Sequence, residues 1–282
     1  MKYLLKIISL ALSDYQLAYI MFIIKHKYIP NFKNPRSINE KINYIKLYNR
    51  NPLRKVVVDR LKVREYIKTI VPEICLPNVL WHGYHLTEHT WEQLPQKFVI
   101  KANHGSKMTR IVNKNIDDFS KIKQITEIWL KKDYSKFGRE GIYSDLDKYL
   151  IVEEFLTHKN DIPPDFKFFV CKGKVEFIQV DVGRYTKHER NLYTNDFKKI
   201  ECRLVHPNTN VQLTRPEHLE KAIQLSEIIG QHFDFIRVDL YLIDDKIVFG
   251  ELTNTPGNGF EKFYPTKYDF VFGSKLPKKI IN

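Results

Sequence analysis

Hydrophobic and polar positions alternate most regularly between Phe235 and Gly257. The runs Arg237-Val-Asp-Leu-Tyr-Leu-Ile243 and Ile247-Val-Phe-Gly-Glu-Leu-Thr253, joined by Asp244-Asp245-Lys246, predict two antiparallel strands. Pairing Ile243 with Ile247 sets Tyr241 opposite Phe249, Asp239 opposite Glu251 and Arg237 opposite Thr253. Successive side chains point to opposite faces, so Val238, Leu240, Leu242, Val248 and Leu252 share an apolar face. The other face sets two carboxylates against each other, and like charges directly opposite repel. Oxygen ligands so arranged suit Mg²⁺, which also recruits substrate phosphates. A solvated charge ladder is the competing reading, and the apolar sequence around both carboxylates argues against it.

The rest of the chain alternates helical and strand-like patterns. Residues 1–28 read as helical. Lys2 and Lys6 ahead of Ile7–Leu12 imitate a signal peptide, but Asp14 and Gln16 interrupt the apolar run and no small-x-small cleavage pattern follows. That interruption also argues against a membrane span. The expectation is an amphipathic helix that packs on the domain or rests on a membrane surface. Ser37-Ile-Asn-Glu40 has the capping-box pattern and opens a helix to Tyr48. Pro52 starts another helix, expected to run through Ile67. Strands are expected at Leu80-Trp81, Lys97–Ala102, Thr109–Val112 and Tyr149–Leu156, with a hairpin of Asp165–Val170 and Lys174–Val182. Helices are expected at Asp117–Lys131 and from Arg215 to Gln231. Antiparallel hairpins interspersed with helices predict an α+β architecture of two lobes.

Composition narrows the chemistry. A chain of 282 residues can form one large or two modest domains. Cys75, Cys171 and Cys202 are scattered and form no Cys-x-x-Cys, which supports neither a disulfide framework nor a thiolate zinc site and points to a reducing, cytosolic compartment. The net charge of +13 favours polyanionic partners. The lysines are dispersed, however, and joint richness in Lys, Ile, Asn and Tyr is equally what AT-biased codons produce.

Several residues stand out singly. Lys101 ends an apolar strand before a loop holding Gly105 and Ser106, a setting that suits a phosphate or, equally, a solvated lysine. No P-loop or Gly-x-Gly-x-x-Gly run occurs. Glu153 and Glu154 end an apolar strand, either as acid/base groups or simply where the strand meets water. His82, His85 and His89 have helical ligand spacing, but Gly83 disfavours a helix there and nothing else supports zinc. Arg184, His188 and Arg190 follow Val182, and two arginines after a strand suit a carboxylate or phosphate clamp.

Taken in order, Asp59-Arg-Leu-Lys-Val-Arg-Glu-Tyr66, Lys97-Phe-Val-Ile-Lys-Ala-Asn-His-Gly-Ser106, Ile151-Val-Glu-Glu-Phe155, Asp165-Phe-Lys-Phe-Phe169, Arg237-Val-Asp-Leu-Tyr241 and Phe249-Gly-Glu-Leu-Thr253 resemble the ATP-grasp superfamily. Within it they look like the TupA-like, teichuronopeptide-biosynthesis branch. The resemblance implies an α+β ATP-grasp fold with the nucleotide between the antiparallel sheets of two lobes. It implies an N-terminal helical segment (1–58), then an ATP-grasp region (59–282) with a small lobe at 97–156 and a metal-binding lobe at 157–270. ATP and Mg²⁺ are the implied cofactors. Lys101, with the loop at Ser106, would contact phosphates, and Arg60 would take an earlier cationic position that is commonly Lys. Glu153, Glu154 and Leu156 would form the hinge at adenine, and Asp165 would bind ribose hydroxyls. Arg237 would face the transferred phosphate, with Asp239 and Glu251 as metal ligands. Many members have Glu-x-Asn at the second metal position; here either Thr253 replaces that Asn or Asn254 reaches in through a bulge.

The implied activity is a carboxylate–amine ligase that works through an acyl phosphate, with Arg184 and Arg190 holding the acceptor carboxylate. The implied partners are an acidic glycan or uronic-acid precursor and an amino acid or amine, in the cytoplasm or at the inner face of the cell membrane. Nucleic acid is not expected. A glycosyltransferase using a sugar nucleotide is the competing enzyme class, since it too needs Mg²⁺ and basic residues. A nucleic-acid-binding module rests on charge alone.

Overall fold

The computed structural model describes residues 11–158, 161–183 and 186–277. Helix α1 (Asp14–His26) is capped by Ser13 and α2 (Ile38–Tyr48) by Ser37. Both carry the reciprocal box: the Glu40 N–H donates to Ser37 Oγ (3.1 Å) and the Ser37 N–H to Glu40 Oε2 (2.9 Å). Residues 1–10, part of the expected N-terminal helix, lie outside the described residues. Among the described residues no helix is long and apolar enough to cross a membrane.

The single helix expected from Pro52 to Ile67 is two, α3 (Leu53–Val58) and α4 (Lys62–Ile70). Asp59 separates them with extended backbone (φ −77°, ψ 120°). Its Oδ1 accepts from the N–H groups of Leu61 and Lys62, both at 3.0 Å, so the side chain competes with helix continuation and satisfies the donors opening α4. Tyr149 Oη and Asn103 Nδ2 also donate to this carboxylate, at 2.7 and 3.1 Å. The break thereby anchors the turn carrying Arg60 to the small lobe.

That lobe is an antiparallel sheet in the order β1-β4-β2-β3, made of β1 (Val79–Gly83), β2 (Lys97–Ala102), β3 (Thr109–Asn113) and β4 (Leu150–Glu154). Phe98, Ile100, Val112 and Val152 pack with Ile122 of α6 (Phe119–Lys131), behind the short α5 (Glu88–Gln93). His82 lies in β1 and His89 in α5, so the three histidines share no helix. Helix α7 (Tyr134–Gly138) and a 3₁₀ turn at Gly141–Tyr143 lead into β4.

The larger sheet has the order β11-β10-β5-β6-β7-β8, from β5 (Asp165–Cys171), β6 (Lys174–Val182), β7 (Glu189–Tyr193), β8 (Lys199–Ile200), β10 (Ile236–Ile243) and β11 (Lys246–Thr253). One face is apolar throughout: Phe166, Phe168, Val180, Val238 and Leu240 meet α4 and α8 (Leu219–Gly230). The other face changes character along the strands. At one end Phe169, Phe177 and Phe235 pack on α2 and α9 (Lys267–Lys275), with Phe177 stacked on both Phe169 (4.1 Å) and Phe272 (4.0 Å). Each such aromatic contributes about 1.5–3 kcal/mol by burial, enough to fix both helices to this end. Further along, the same face carries Arg237, Asp239, Lys167, Asp181 and Arg190, all buried. A separate pair, β9 (Arg203–Leu204) and β12 (Phe263–Tyr264), completes the strands described.

The β10–β11 register departs from the expected one at the turn and regains it at the carboxylates. Ile243 pairs with Lys246, so the turn is the two residues Asp244-Asp245, with Asp244 at φ 51°. Leu240 consequently pairs with Phe249, and Tyr241 with Val248. A bulge at Gly250 then inserts one residue, after which Asp239 pairs with Glu251 and Arg237 with Thr253. Phe249, rather than Val248, therefore joins the apolar face with Leu240. Val248 instead bridges to Cys75, whose backbone exchanges hydrogen bonds with Ile247 (3.1 Å) and Phe249 (2.9 Å) along the β11 edge.

Candidate active site

The cation between the two facing carboxylates is Arg237. Its Nε and Nη2 donate to Asp239 Oδ1 and Oδ2 at 2.6 and 2.7 Å, and Nη2 also reaches Thr253 Oγ1 (2.9 Å) and Glu251 Oε1 (3.4 Å). From β5, Lys167 Nζ approaches Asp239 (3.3 Å), Asp165 (3.1 Å) and Asp181 (3.8 Å). Burial pushes the Asp239 carboxyl up, against the pull of Arg237 and Lys167. Burial alone would lower Arg237, but Asp239 and Glu251 hold it above its ordinary range. Asp181 is held well below the carboxylate range despite burial, because Lys167 and Arg190 flank it.

Thr253, not Asn254, shares the face of Asp239 and Glu251. Asn254 turns away, and its Oδ1 accepts from Arg54 Nη1 at 2.9 Å while Arg54 also binds the Phe235 carbonyl. The donors are thus two carboxylates and a hydroxyl, and among the described residues no larger His/Cys/Asp/Glu cluster could hold a metal. This set fits Mg²⁺, which takes one or two carboxylates and completes its shell with water and phosphate oxygens. Glu251 is 41% exposed and accessible, whereas Asp239 must exchange Arg237 for the ion at one oxygen.

Across the cleft, the Arg60 N–H donates to Asn103 Oδ1 (2.7 Å) and its Nε to the Ala102 carbonyl (3.1 Å), leaving Nη1 3.9 Å from Glu251. Lys101 is ion-paired to Glu153, which also meets Arg64 Nη1 at 3.3 Å. Ser106 Oγ hydrogen-bonds Tyr134 Oη at 2.5 Å. Arg60, Arg64, Lys101, Ser106, Tyr143 and Glu251 line a cavity of only about 70 Å³. Ligand pockets usually run to about 300–1,000 Å³, so a nucleotide requires these ion pairs to part. A second cavity of about 400 Å³ is lined by Leu76, Glu154, Leu156, Lys246 and Val248. The Glu154 carboxylate accepts from Asn78 N (2.8 Å) and Nδ2 (3.1 Å), tying β4 to the approach to β1.

Two expected residues are buried in the charge cluster of the large sheet. Asp165 lies buried on the charged face beside Lys167 and lines neither cavity, because strand alternation turns it toward Asp181. Arg190 is no open clamp: its Nε and Nη2 bind Asp181 at 2.6 and 3.2 Å, and the side chain is buried. Arg184 lies outside the described residues. The sequence reading missed Lys167, Asp181 and Arg64 as partners of the site. Polar positions two apart in Asp165-Phe-Lys167 and Gln179-Val-Asp181 were the available signal, but only the strand order brings them to Asp239.

A family model described as TupA-like ATPgrasp matches residues 40–277. The comparison with curated proteins gives no match. Among solved structures, D-alanine–D-alanine ligase from Bacillus anthracis is similar at 17% identity and a TM-score of 0.47, covering 78% of this chain and 65% of that one. The same enzyme from Helicobacter pylori is similar at 15% and 0.42, covering 79% and 60%. An ADP complex of N5-carboxyaminoimidazole ribonucleotide synthetase is similar at 12% and 0.44, covering 72% and 46%. The chain thus spans about half to two-thirds of the length of these structures.

Proposed function

Because the chain belongs to the TupA-like ATP-grasp family, we propose that it is an ATP-dependent carboxylate–amine ligase. The observation that carries this reading is the charged hairpin face of Arg237, Asp239, Glu251 and Thr253, of which Glu251 and Thr253 line one cavity with Arg60 and Lys101. The substrates are a uronic-acid-type sugar of a cell-surface polysaccharide or its precursor and an amino acid or amine. The enzyme works in the cytoplasm, with residues 1–28 as its contact to the inner membrane face.

Asp239, Glu251 and Thr253 would hold Mg²⁺, which when bound withdraws charge from phosphate oxygens. Lys101 and Arg60 bind phosphate from the small-lobe side once Lys101 leaves Glu153 and Arg60 leaves Glu251. Arg237 turns from Asp239 toward the transferred phosphate, so the guanidinium that neutralises Asp239 also meets developing charge during transfer. Glu154 and Leu156 line the adenine end. The acceptor carboxylate attacks the terminal phosphorus, ADP leaves, and the resulting acyl phosphate is opened by the amine.

The test is ATP turnover screened against uronic acids and amino acids, with Asp239→Asn and Glu251→Gln as controls. ADP and phosphate formed only with both substrates, and lost in both variants, is the expected result. UDP release from a sugar nucleotide without ATP use sinks the reading in favour of a glycosyltransferase.

A further inference from the structure

Glu140 belongs to the small lobe but reaches out of it. It follows Arg139 in a left-handed conformation (φ 52°), and its Oε2 meets the hydroxyl of Thr255 in the loop after β11. The glutamate is 6% exposed. Its carbonyl accepts from the N–H of Tyr143 (3.1 Å), a residue that lines the cavity with Lys101 and Glu251. On the other wall of the same loop, Lys46 of α2 donates to Asn258 Oδ1 (2.8 Å) and O (3.2 Å), its Nζ 4.6 Å from the Phe260 ring centre.

Along β11 the groups run in order from the hinge to this loop. Lys246 and Val248 border the hinge cavity with Leu156; Phe249 to Thr253 border the cavity of Lys101 and Arg60; Thr255 lies beyond. If the nucleotide enters from the hinge with its phosphates at Lys101, the second substrate must meet the transferred group from the Thr255 side. A buried carboxylate and a half-buried ammonium there are not needed to bind ATP.

Resting on the ligase reading, we infer that Glu140 is the general base that deprotonates the attacking amine. An amine at neutral pH is largely R–NH₃⁺ and has no lone pair to give. Glu140 takes one proton, and the freed lone pair forms the C–N bond to the acyl carbon. The C–O bond to phosphate breaks, and phosphate departs with that electron pair and the second amine proton. The groups facing Glu140 are Lys46, Thr255, Tyr134 and Tyr143; Arg139 is turned to Asp14 (2.9 Å). Burial raises the Glu140 carboxyl while Thr255 and Lys46 hold it down, and burial brings Lys46 down to about 8. A base that titrates nearer neutrality than a solvated glutamate is the better proton acceptor.

Hydroxylamine separates this role from the others, because it is largely unprotonated at neutral pH and traps an acyl phosphate without a base. The full chain is assayed with ATP, Mg²⁺ and D-glucuronate, or whichever uronic acid in a panel turns over, against hydroxylamine and against amino acids. Glu140→Gln is expected to keep hydroxamate formation and lose amide formation by roughly 10²–10⁴-fold. Glu140→Asp is expected to fall between the two. In the unaltered protein, kcat for the amino acid should fall on acidification while kcat for hydroxylamine does not, a readout independent of any variant. Equal loss of both products in Glu140→Gln, or coincident pH profiles in the unaltered protein, overturns the assignment. No hydroxamate from the unaltered protein with any carboxylate removes the ligase reading itself.

Discussion

Asp239 and Glu251 stand opposite each other although the turn joining their strands is one residue shorter than the three-residue turn that simple alternation requires. Gly250 supplies the missing residue as a bulge. A Cβ at that position would lie 3.0 Å from the Asp239 carbonyl and 3.2 Å from the Tyr241 ring. The bulge is therefore a condition of the site, not an irregularity beside it.

Gly250→Val should consequently damage stability and site together. Forcing the bulge apart costs about 1–3 kcal/mol, read as a lowered Tm. Binding of a non-hydrolysable ATP analogue with Mg²⁺, followed by calorimetry, should weaken at least tenfold even where the protein remains folded. Unchanged binding would show that the carboxylates tolerate another register.

Thr253 and Asn254 should separate cleanly. Asn254→Ala leaves the buried Arg54 guanidinium without its side-chain acceptor, a loss of roughly 1.5–3 kcal/mol in thermal or urea unfolding. The Mg²⁺ concentration for half-maximal ATP turnover should not move. Thr253→Val should do the reverse, raising the Mg²⁺ requirement with little change in Tm. A shifted Mg²⁺ requirement in Asn254→Ala would return that residue to the metal site.

Lys101→Ala should lower ATP affinity by more than tenfold without impairing the fold, since its partner Glu153 keeps Arg64. Isothermal titration with ATP and Mg²⁺ checks this. Equal affinity in the variant would mean that Lys101 serves only to close the cleft.

Asp269 should make stability depend on pH in an unusual direction. Burial raises its carboxyl to about 6, although the Asn39 backbone and side chain both donate to Oδ1 at 3.0 Å. In the unfolded chain it titrates near 3.9. A raised folded value means the neutral form is favoured in the folded protein, so its contribution is fully present below about 4 and is lost as pH rises through 6. Asp269→Asn should therefore raise Tm at pH 8 relative to the parent, with the gain vanishing near pH 4. A gain independent of pH would place the effect elsewhere.

Local chemistry made much of this legible in advance. Ser37 and Glu40 announce α2 because a cap satisfies donors within one turn of chain. Lys101, Glu153, Asp239 and Glu251 could be singled out because each ends or punctuates an apolar run. The break at Asp59 was missed because an aspartate inside an apolar period reads as a helix position until its carboxylate is seen to accept from Leu61 and Lys62. Glu140 left no signal, since its partner Thr255 is far away in sequence.

Which side chains alternate along β10, and where caps and acids fall, follows from the chain alone, because Cβ alternation and capping are settled by stereochemistry within a few residues; in β11 the bulge overrides that alternation. That Arg237 forks Asp239, that Lys167 comes beside it from β5, that Asn254 turns to Arg54 and that Glu140 crosses between lobes all wait for the folded molecule. Those pairings depend on strand order, a bulge and lobe closure, which are set by burial and charge pairing summed over the whole molecule.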